Sequence, residues 1–540
     1  MTHPTNRRRL RHRIPIKLRH NWKLVALCTA FLAACWGVFG SGTIRPYVTT
    51  ARTASADTVT TNLTGTKDLF DTTVGHEVKL TFTDAAYQDM LTEYYASGEK
   101  KYVEADLTID GTRIPSVGVR LKGNSTLMGL TWNGKSRSSG RGGFPGGRPP
   151  EGFEPPEGFE PPEGFEPPEG FQPPDGFQPP GGEQPQGNGQ PMTNGQPETN
   201  GRPGGGMFGA QLKAEEPEKL PWLISFDEFV EGRRYQGHTQ VAVRPAATGS
   251  TTMLSEALGI SVVGAAGEPT QRSTYSSFNV NGRSSTPRLL VEYLDEGYAE
   301  DLGDGVLYKS LATGSFTYKG EDQTQYVNDF KQINKIGGKD LQPVIDLVKW
   351  VNEASDAEFT AGLADRLDVE SFARYLALQN LMVNFDDMAG PGKNYYLWYD
   401  SGSKKFTVIT WDLNLAFNGD ATAGVHDSIS MGFGRGRPRQ NGQPPQGDRP
   451  RGGMTMGHPL KEKFLKNATF KKVYEKQYRN LYNKLLADGS ASKLLDNLVS
   501  SYKLNNGADT AAIETEANTL RTFLQTRTES LGSDKAISGT

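Results

Sequence analysis

Residues 140–207 leave the composition of a globular domain, and this fixes how the rest of the chain can fold. Phe153, Phe159, Phe165, Phe171 and Phe177 recur every six residues in a Gly-Phe-Glu/Gln-Pro-Pro-Glu/Asp repeat. Paired prolines remove backbone donors and forbid helix, and the intervening acids offer nothing to bury. The segment therefore reads as disordered or as polyproline II. A six-residue unit with paired prolines also cannot supply the strand or helix that a stacked solenoid needs. A second tract, 432–457, is rich in Gly, Pro and Gln and carries Arg435, Arg437, Arg439, Arg449 and Arg451. Two readings of these tracts stand: the acidic and basic inserts attract each other or bind wall polymers, or both are solvated surface insertions. Either way, the folded domain is assembled from pieces on both sides of two inserts.

The N-terminus adds a second constraint. Eight cations from Arg7 to Lys23 form a basic head over 1–23, and an apolar stretch follows over 24–41. Basic flank and apolar length predict an N-terminus inside and the remainder extracellular; an uncleaved signal-anchor is favoured over a signal peptide cleaved at Ala54-Ser55-Ala56, which lies too far beyond the apolar run. Both cysteines, Cys28 and Cys35, fall in that stretch, so the exported part has no thiol and no disulfide and must be held by its own core. Residues 42–74 are Thr-rich and read as a linker. A net charge of -3 argues against a general nucleic-acid-binding protein.

Alternation and turn chemistry place strands at 76–82, 102–109 and 116–121, the last two joined by Asp110-Gly111. Thr83 and Asp84 cap a helix running to about Tyr95. Two further strands flank Asn281-Gly282. Helical periodicity marks 251–258, 341–352, 369–382 and 460–502, with a helical tail over 503–540. The fold class is α+β.

The chemistry concentrates in 384–419. An acidic pair, Asp386-Asp387, lies in a loop. Asn394 leads into Tyr395-Tyr396-Leu397-Trp398, a turn follows at Asp400-Ser401-Gly402, and a second strand ends at Trp411-Asp412. A hairpin delivering Asp and Asn to one edge suits a hard cation such as Mg²⁺. Asp and Asn are equally at home in turns, so spacing alone leaves a purely structural role open. Other chemistries find little support. The seven histidines do not cluster, and there is no His-Glu-x-x-His or Gly-x-Ser-x-Gly pattern.

Asn384-Phe385-Asp386, Asn394-Tyr395-Tyr396-Leu397-Trp398 and Trp411-Asp412-Leu413-Asn414 together resemble the signature of the spore coat protein H (CotH) kinase family. So do the run from Val117 to Thr126, the blocks Val291–Asp295 and Gly305–Lys309, and His458-Pro459-Leu460. The resemblance covers 75–502 apart from the inserts. It implies a bilobal, atypical protein-kinase-like fold, with a strand-rich lobe, a helical lobe and a nucleotide cleft between them. It further implies Mg²⁺- and ATP-dependent phosphorylation of Ser/Thr on exported, cell-surface or cell-wall proteins. Asp386 would be the base, with Asn394 and Asp412 the metal ligands. Lys122, Gly123, Asn124, Lys219, Glu256, Glu292 and Lys309 would lie around the nucleotide. Asp387 competes for the base role but reads better as a solvated turn acid. The sequence departs from the family pattern at Asn414, where the second acid of Trp-Asp-x-Asp is missing, and in lacking a Lys-rich strand before Phe226-Asp227. A catalytically inactive surface or binding protein on the same fold is the alternative, and a transferase with a polymer or phosphate acceptor is a third reading.

Overall fold

The computed structural model describes residues 59–123, 126–137, 212–246, 250–334, 340–429 and 457–539. The basic head, the signal-anchor stretch, Asn124 and both inserts apart from Gly457 lie outside the described residues. Among the described residues no helix is long and apolar enough to cross a membrane. The chain divides into two compact units. One comprises residues 1–56 and 335–340, of which only Asp340 is described; the other, 57–334 and 341–540, carries everything that follows.

The fold is α+β. Its strands in chain order are β1 (Thr61–Leu63), β2 (Glu77–Thr81), β3 (Val103–Ile109), β4 (Thr112–Leu121), β5 (Leu130–Trp132), β6 (Lys135–Ser136), β7 (Leu212–Lys213) and β8 (Trp222–Ser225). They continue with β9 (Arg233–Tyr235), β10 (Gln240–Val243), β11 (Ser273–Val280), β12 (Thr286–Glu292), β13 (Gly305–Ser310), β14 (Phe330–Gln332), β15 (Tyr395–Asp400) and β16 (Phe406–Thr410). The helices are α1 (Asp84–Ser97), α2 (Leu254–Ala266), α3 (Glu296–Leu302), α4 (Gln342–Glu353), α5 (Asp356–Gly362) and α6 (Val369–Leu381). After these come α7 (Pro459–Lys466), α8 (Ala468–Leu481), α9 (Ser490–Lys503), α10 (Thr510–Gly532) and α11 (Lys535–Ser538).

Seven strands close a barrel in the order β10-β12-β11-β2-β3-β4-β8. Closure removes the free edges that open sheets must protect. The strands alternate as the sequence predicts: Val103, Ala105, Leu107 and Ile109 point into the barrel core, and their neighbours face outward. The turns carry the expected chemistry. Asp110 and Gly111 both have positive φ (48° and 85°), the requirement of a two-residue hairpin loop, and Asn281 and Gly282 (50° and 71°) open the longer connection 281–285 between β11 and β12. Thr83 caps α1 by accepting from the Ala86 amide at 3.2 Å, and Gly98 ends it in the left-handed region.

A second sheet, antiparallel and ordered β14-β13-β15-β16, packs with the helices around another core. Helix α6 is buried almost all round, including Phe372, Tyr375, Leu376 and Leu378 and the polar Ser371, Gln379 and Asn380, and α8 lies against it. The β15–β16 register sets Tyr395 opposite Thr410. Asn394 and Trp411-Asp412 therefore emerge from the same end of the hairpin. Helix α2 runs between this layer and the barrel. Gly259 lets it approach closely, since a Cβ there would lie 3.1 Å from Leu413 Cβ, and Glu256, one turn earlier, occupies the same helix face.

The linker read over 42–74 needs correction in its described part. Strand β1 pairs in parallel with β9, and Leu69 and Phe70 are buried in the barrel core. A three-residue strand and two apolar residues within Thr-rich surroundings give no periodicity to read, which is why the sequence conceals them. Phe70→Ala in the full chain should cost about 3 kcal/mol of stability in urea unfolding; a flexible linker would lose nothing measurable.

Candidate functional site

Two clusters form at the open end of the β15–β16 hairpin. The first is built on Arg244, which follows directly on β10. Arg244 Nε donates to Glu256 Oε2 at 2.6 Å, and Nη2 donates to Asp412 Oδ1 at 2.7 Å. Its carbonyl is held in turn by Arg288 Nε at 2.8 Å. Arg244 and Glu256 are buried, whereas the Asp412 side chain keeps 30% exposure, so one carboxylate faces the interior and the other an opening. Asp412 sits at φ +53°, a left-handed conformation that costs a non-glycine residue free energy.

Electrostatics separate these groups. Burial raises the Glu256 carboxyl above its ordinary value despite Arg244. Burial also opposes ionisation of Asp412, but Arg244, Lys122 and Lys309 outweigh it and hold that carboxyl below the usual range. The guanidinium of Arg244 is raised because its two carboxylates overcome desolvation.

Lys122, just after β4, and Lys309, on β13, converge on one aromatic wall. The Lys309 ammonium lies 4.8 Å from the Trp411 ring centre and 5.5 Å from Tyr396; the Lys122 ammonium lies 5.3 Å from Trp411. Desolvation, with Arg244 and Lys309 nearby, pushes Lys122 down to about 7. Desolvation, with help from Arg120, pushes Lys309 down to about 8. Two lysines so destabilised in their charged form are poised to accept an anion.

The second cluster holds Asp386, in the loop after α6. The amide of Gly392 donates to its Oδ1 at 2.6 Å, and Asn394 Nδ2 donates to its Oδ2 at 2.9 Å. Only glycine fits at 392, because a Cβ would come within 2.7 Å of Asp386 Oδ2. Burial raises Asp386 to about 6 against the Gly392 amide, and the charges of Asp412 and Asp387 add to the rise. The two clusters therefore share one electrostatic field.

Most of the residues singled out in the sequence meet here: Asp386 with Asn394, and Asp412 with Glu256, Lys122 and Lys309. Gly123 follows Lys122 in a left-handed conformation, φ +101°. Asn124 lies outside the described residues. Two expectations fail. Lys219 is half exposed and pairs with Glu216 at 2.9 Å on the surface. Glu292 points to the opposite face of β12 from Val291, which lines the pocket; its carboxylate takes Arg272 at 2.9 Å beside His238. The alternation of a strand decides that orientation, and Val291 already occupies the inner face. The reading of Asp387 as a solvated acid also fails, since it is 2% exposed, caps Ala389 at 2.8 Å and pairs with Lys461. Arg244 is the member of this cluster that sequence reasoning misses. Its trace in the sequence is a cation placed directly behind the apolar run Val241-Ala242-Val243.

The donor set fits Mg²⁺ arriving with a polyphosphate. Magnesium commonly takes one or two protein carboxylates and completes its shell with phosphate and water. Asn394 commits its amide nitrogen to Asp386, so its oxygen is not used there, and Asp412 commits Oδ1 to Arg244. Among the described residues no three His, Cys, Asp or Glu side chains gather to hold an ion by themselves. The space between Lys122, Arg244, Glu256 and Asp412 is too small for a water molecule, so a phosphate entering it must displace one of the long cations.

Barrel, helical layer and a carboxylate site beside paired lysines define an α+β protein equipped to handle a charged ligand at the hairpin end. Residues 206–531 match the CotH kinase protein family, more than half of the chain, and the chain belongs to that family. No curated protein matches it. The matched region begins beyond β6, so Lys122 and Gly123 rest on the geometry alone, and it ends within α10.

Arg244→Met should destabilise the fold by on the order of 3 kcal/mol, because it strands buried Glu256 without a counter-charge. Adding Glu256→Leu should restore part of that loss in the same denaturation measurement. Equal stabilities of the single variant and the parent would show that the pair carries no load.

Proposed function

We propose that the protein is a phosphotransferase that uses Mg²⁺ and ATP to phosphorylate Ser or Thr hydroxyls of exported or cell-surface proteins. The observation that carries this reading is the convergence of Asp386–Asn394 and Arg244–Glu256–Asp412 at one end of the β15–β16 hairpin. Protein kinases pair a strand cation with a helix glutamate and set a metal-binding Asp, an Asn and a base Asp around the phosphates. Here the corresponding roles fall to Arg244, Glu256, Asp412, Asn394 and Asp386. When bound, the metal would neutralise phosphate charge. Asp386 accepts the proton of the incoming hydroxyl at a carboxylate oxygen, and Lys122 and Lys309 offset the charge of the nucleotide phosphates. On this reading the barrel and the helical layer act as two lobes of an atypical kinase, and the basic head with its apolar stretch anchors the chain in a membrane with the site outside.

One observation favours a second reading, a surface protein that keeps the fold without catalysis. Arg244 already holds the metal-facing Asp412, and Asn414 stands where the family pattern has an acid. The two readings separate by experiment. Mg²⁺-dependent thermal stabilisation by ATP, present in the parent and lost in Asp412→Ala, supports phosphotransfer, because a ligand selective for the folded state must raise its stability. No shift at millimolar ATP, about the upper end of usual substrate affinities, leaves the binding protein.

The ionisations set a pH window. ATP affinity should weaken as pH rises through about 7 to 8, where Lys122 and Lys309 lose their charge. Turnover should fall as pH drops through about 6, where Asp386 takes up a proton and ceases to be a base. A bell-shaped profile of kcat/KM checks both limbs, and Asp386→Ala should remove turnover while retaining nucleotide stabilisation.

A further inference from the structure

We propose that Arg527 is a positioning residue, a buried cation on α10 that clamps the loop carrying Asp386 to the segment that follows Asp412. Its role in the reaction rests on the phosphotransfer reading above; the clamp itself does not. Arg527 is fully buried (0% exposed), and it donates to carbonyls, one amide oxygen and one hydroxyl. Nε donates to the Leu381 carbonyl at 3.2 Å, and Nη2 donates to the Asn380 carbonyl at 2.9 Å and to Asn380 Oδ1 at 2.8 Å. These are the last residues of α6, whose orphan carbonyls need such partners. From the same guanidinium, Nη1 donates to the carbonyls of Ala421 and Ala423. One planar fork thus spans the end of the helix that leads into Asp386 and the segment that leaves Asp412.

Neighbouring contacts follow the same line. The Phe417 amide donates to the Met382 carbonyl at 2.6 Å, and Asn380 Nδ2 reaches the Asp427 carbonyl at 3.1 Å. From α10, Ser530 Oγ donates to the Thr422 carbonyl at 3.1 Å, and just beyond that helix Asp534 accepts from the Val425 amide at 3.0 Å. Tyr478 on α8 donates to Asn380 Oδ1 at 2.7 Å and accepts from Arg527 at 3.0 Å. A guanidinium is suited to this place because its donors are fixed in a plane and point in several directions at once. A lysine ammonium cannot reach both sets of carbonyls. None of these hydrogen bonds reaches Lys122, Lys309, Arg244 or Asp412, so the effect of the cluster on chemistry passes through the register of two loops.

The test uses the full chain with Arg527→Lys, Arg527→Met and the milder Tyr478→Phe, which keeps the clamp testable if the first two fail to fold. Hydrogen exchange is followed over residues 380–390 and 413–427, with β3 and β4 as the internal reference. Exchange should quicken by about tenfold in both segments together, the loss expected from one or two buried hydrogen bonds, and stay unchanged in the reference. Acceleration in one segment only, or equally in the barrel, overturns the clamp. The Mg²⁺ concentration that half-saturates ATP stabilisation should rise several-fold in Tyr478→Phe. A merely structural Arg527 would lower the melting temperature without moving that midpoint, which would overturn the positioning role. A parent chain with no ATP stabilisation defeats the phosphotransfer reading, and the exchange result then decides the clamp by itself.

Discussion

Arg244 is the interaction on which the rest of the site depends. It leaves the barrel at the end of β10, reaches Glu256 on α2 and Asp412 behind β16, and so joins three parts of the chain in one charge network. Such a network is a weak source of net stability, because burying the charges costs nearly as much as their attraction returns. Its value lies in selection. Only one placement of α2 satisfies Glu256, and only one exit from β16 satisfies Asp412. Gly259 adds the steric half of that condition by allowing α2 to lie against Leu413. The strained left-handed backbone at Asp412 is maintained by the same contact, since relaxing it would withdraw the carboxylate from Arg244.

Much of the architecture is legible in the sequence because its signals are local. Period-two alternation marks the barrel strands, Asp110-Gly111 and Asn281-Gly282 mark hairpins, and Thr83 marks a helix start. The hairpin end that gathers Asn394 and Asp412 is legible for the same reason. What escapes are relations between distant segments. Arg244 and Glu256 are separated by only twelve positions, yet their pairing depends on barrel closure, which no periodicity expresses. Strand β1 and the buried Leu69 and Phe70 are hidden in a polar stretch. Glu292 stands out only by family-like position and Lys219 only as the nearest cation upstream of Phe226-Asp227; strand alternation sends the first to the far face while Glu216 holds the other at the surface. Asp387 reads as a turn acid because its partner, Lys461, lies across the second insert.

The inserts themselves fit this division of labour. The cation that pairs with Asp387 stands on α7, which begins just after the second insert. The loop from Asp412 to Ile429 leads into that insert. Both ends of the tract therefore leave from well-packed segments beside the site: Val425 is fixed by Asp534 on one side, and His458 is buried against Tyr395 and Phe316 on the other.

Two carboxylates at one hairpin end are driven in opposite directions by their surroundings, a contrast that suits the tasks proposed for them. Asp412 stands among Arg244, Lys122 and Lys309, which hold its carboxyl below the usual range and favour its ionised form. Asp386 is held by the Gly392 amide and Asn394 instead; burial and the neighbouring charges of Asp412 and Asp387 lift it to about 6. A base is most useful when its affinity for protons lies close to the working pH, and a metal ligand when it never competes for them. The cations that depress Asp412 also sustain its effect on Asp386, since an ionised neighbour is what raises the second carboxyl. Exchanging the two ionisation states would require moving Arg244, and with it the end of β10 and the start of α2. The contrast between the two carboxylates, which the proposed phosphotransfer would use as base and ligand, is therefore built into the barrel's exit, not into either loop.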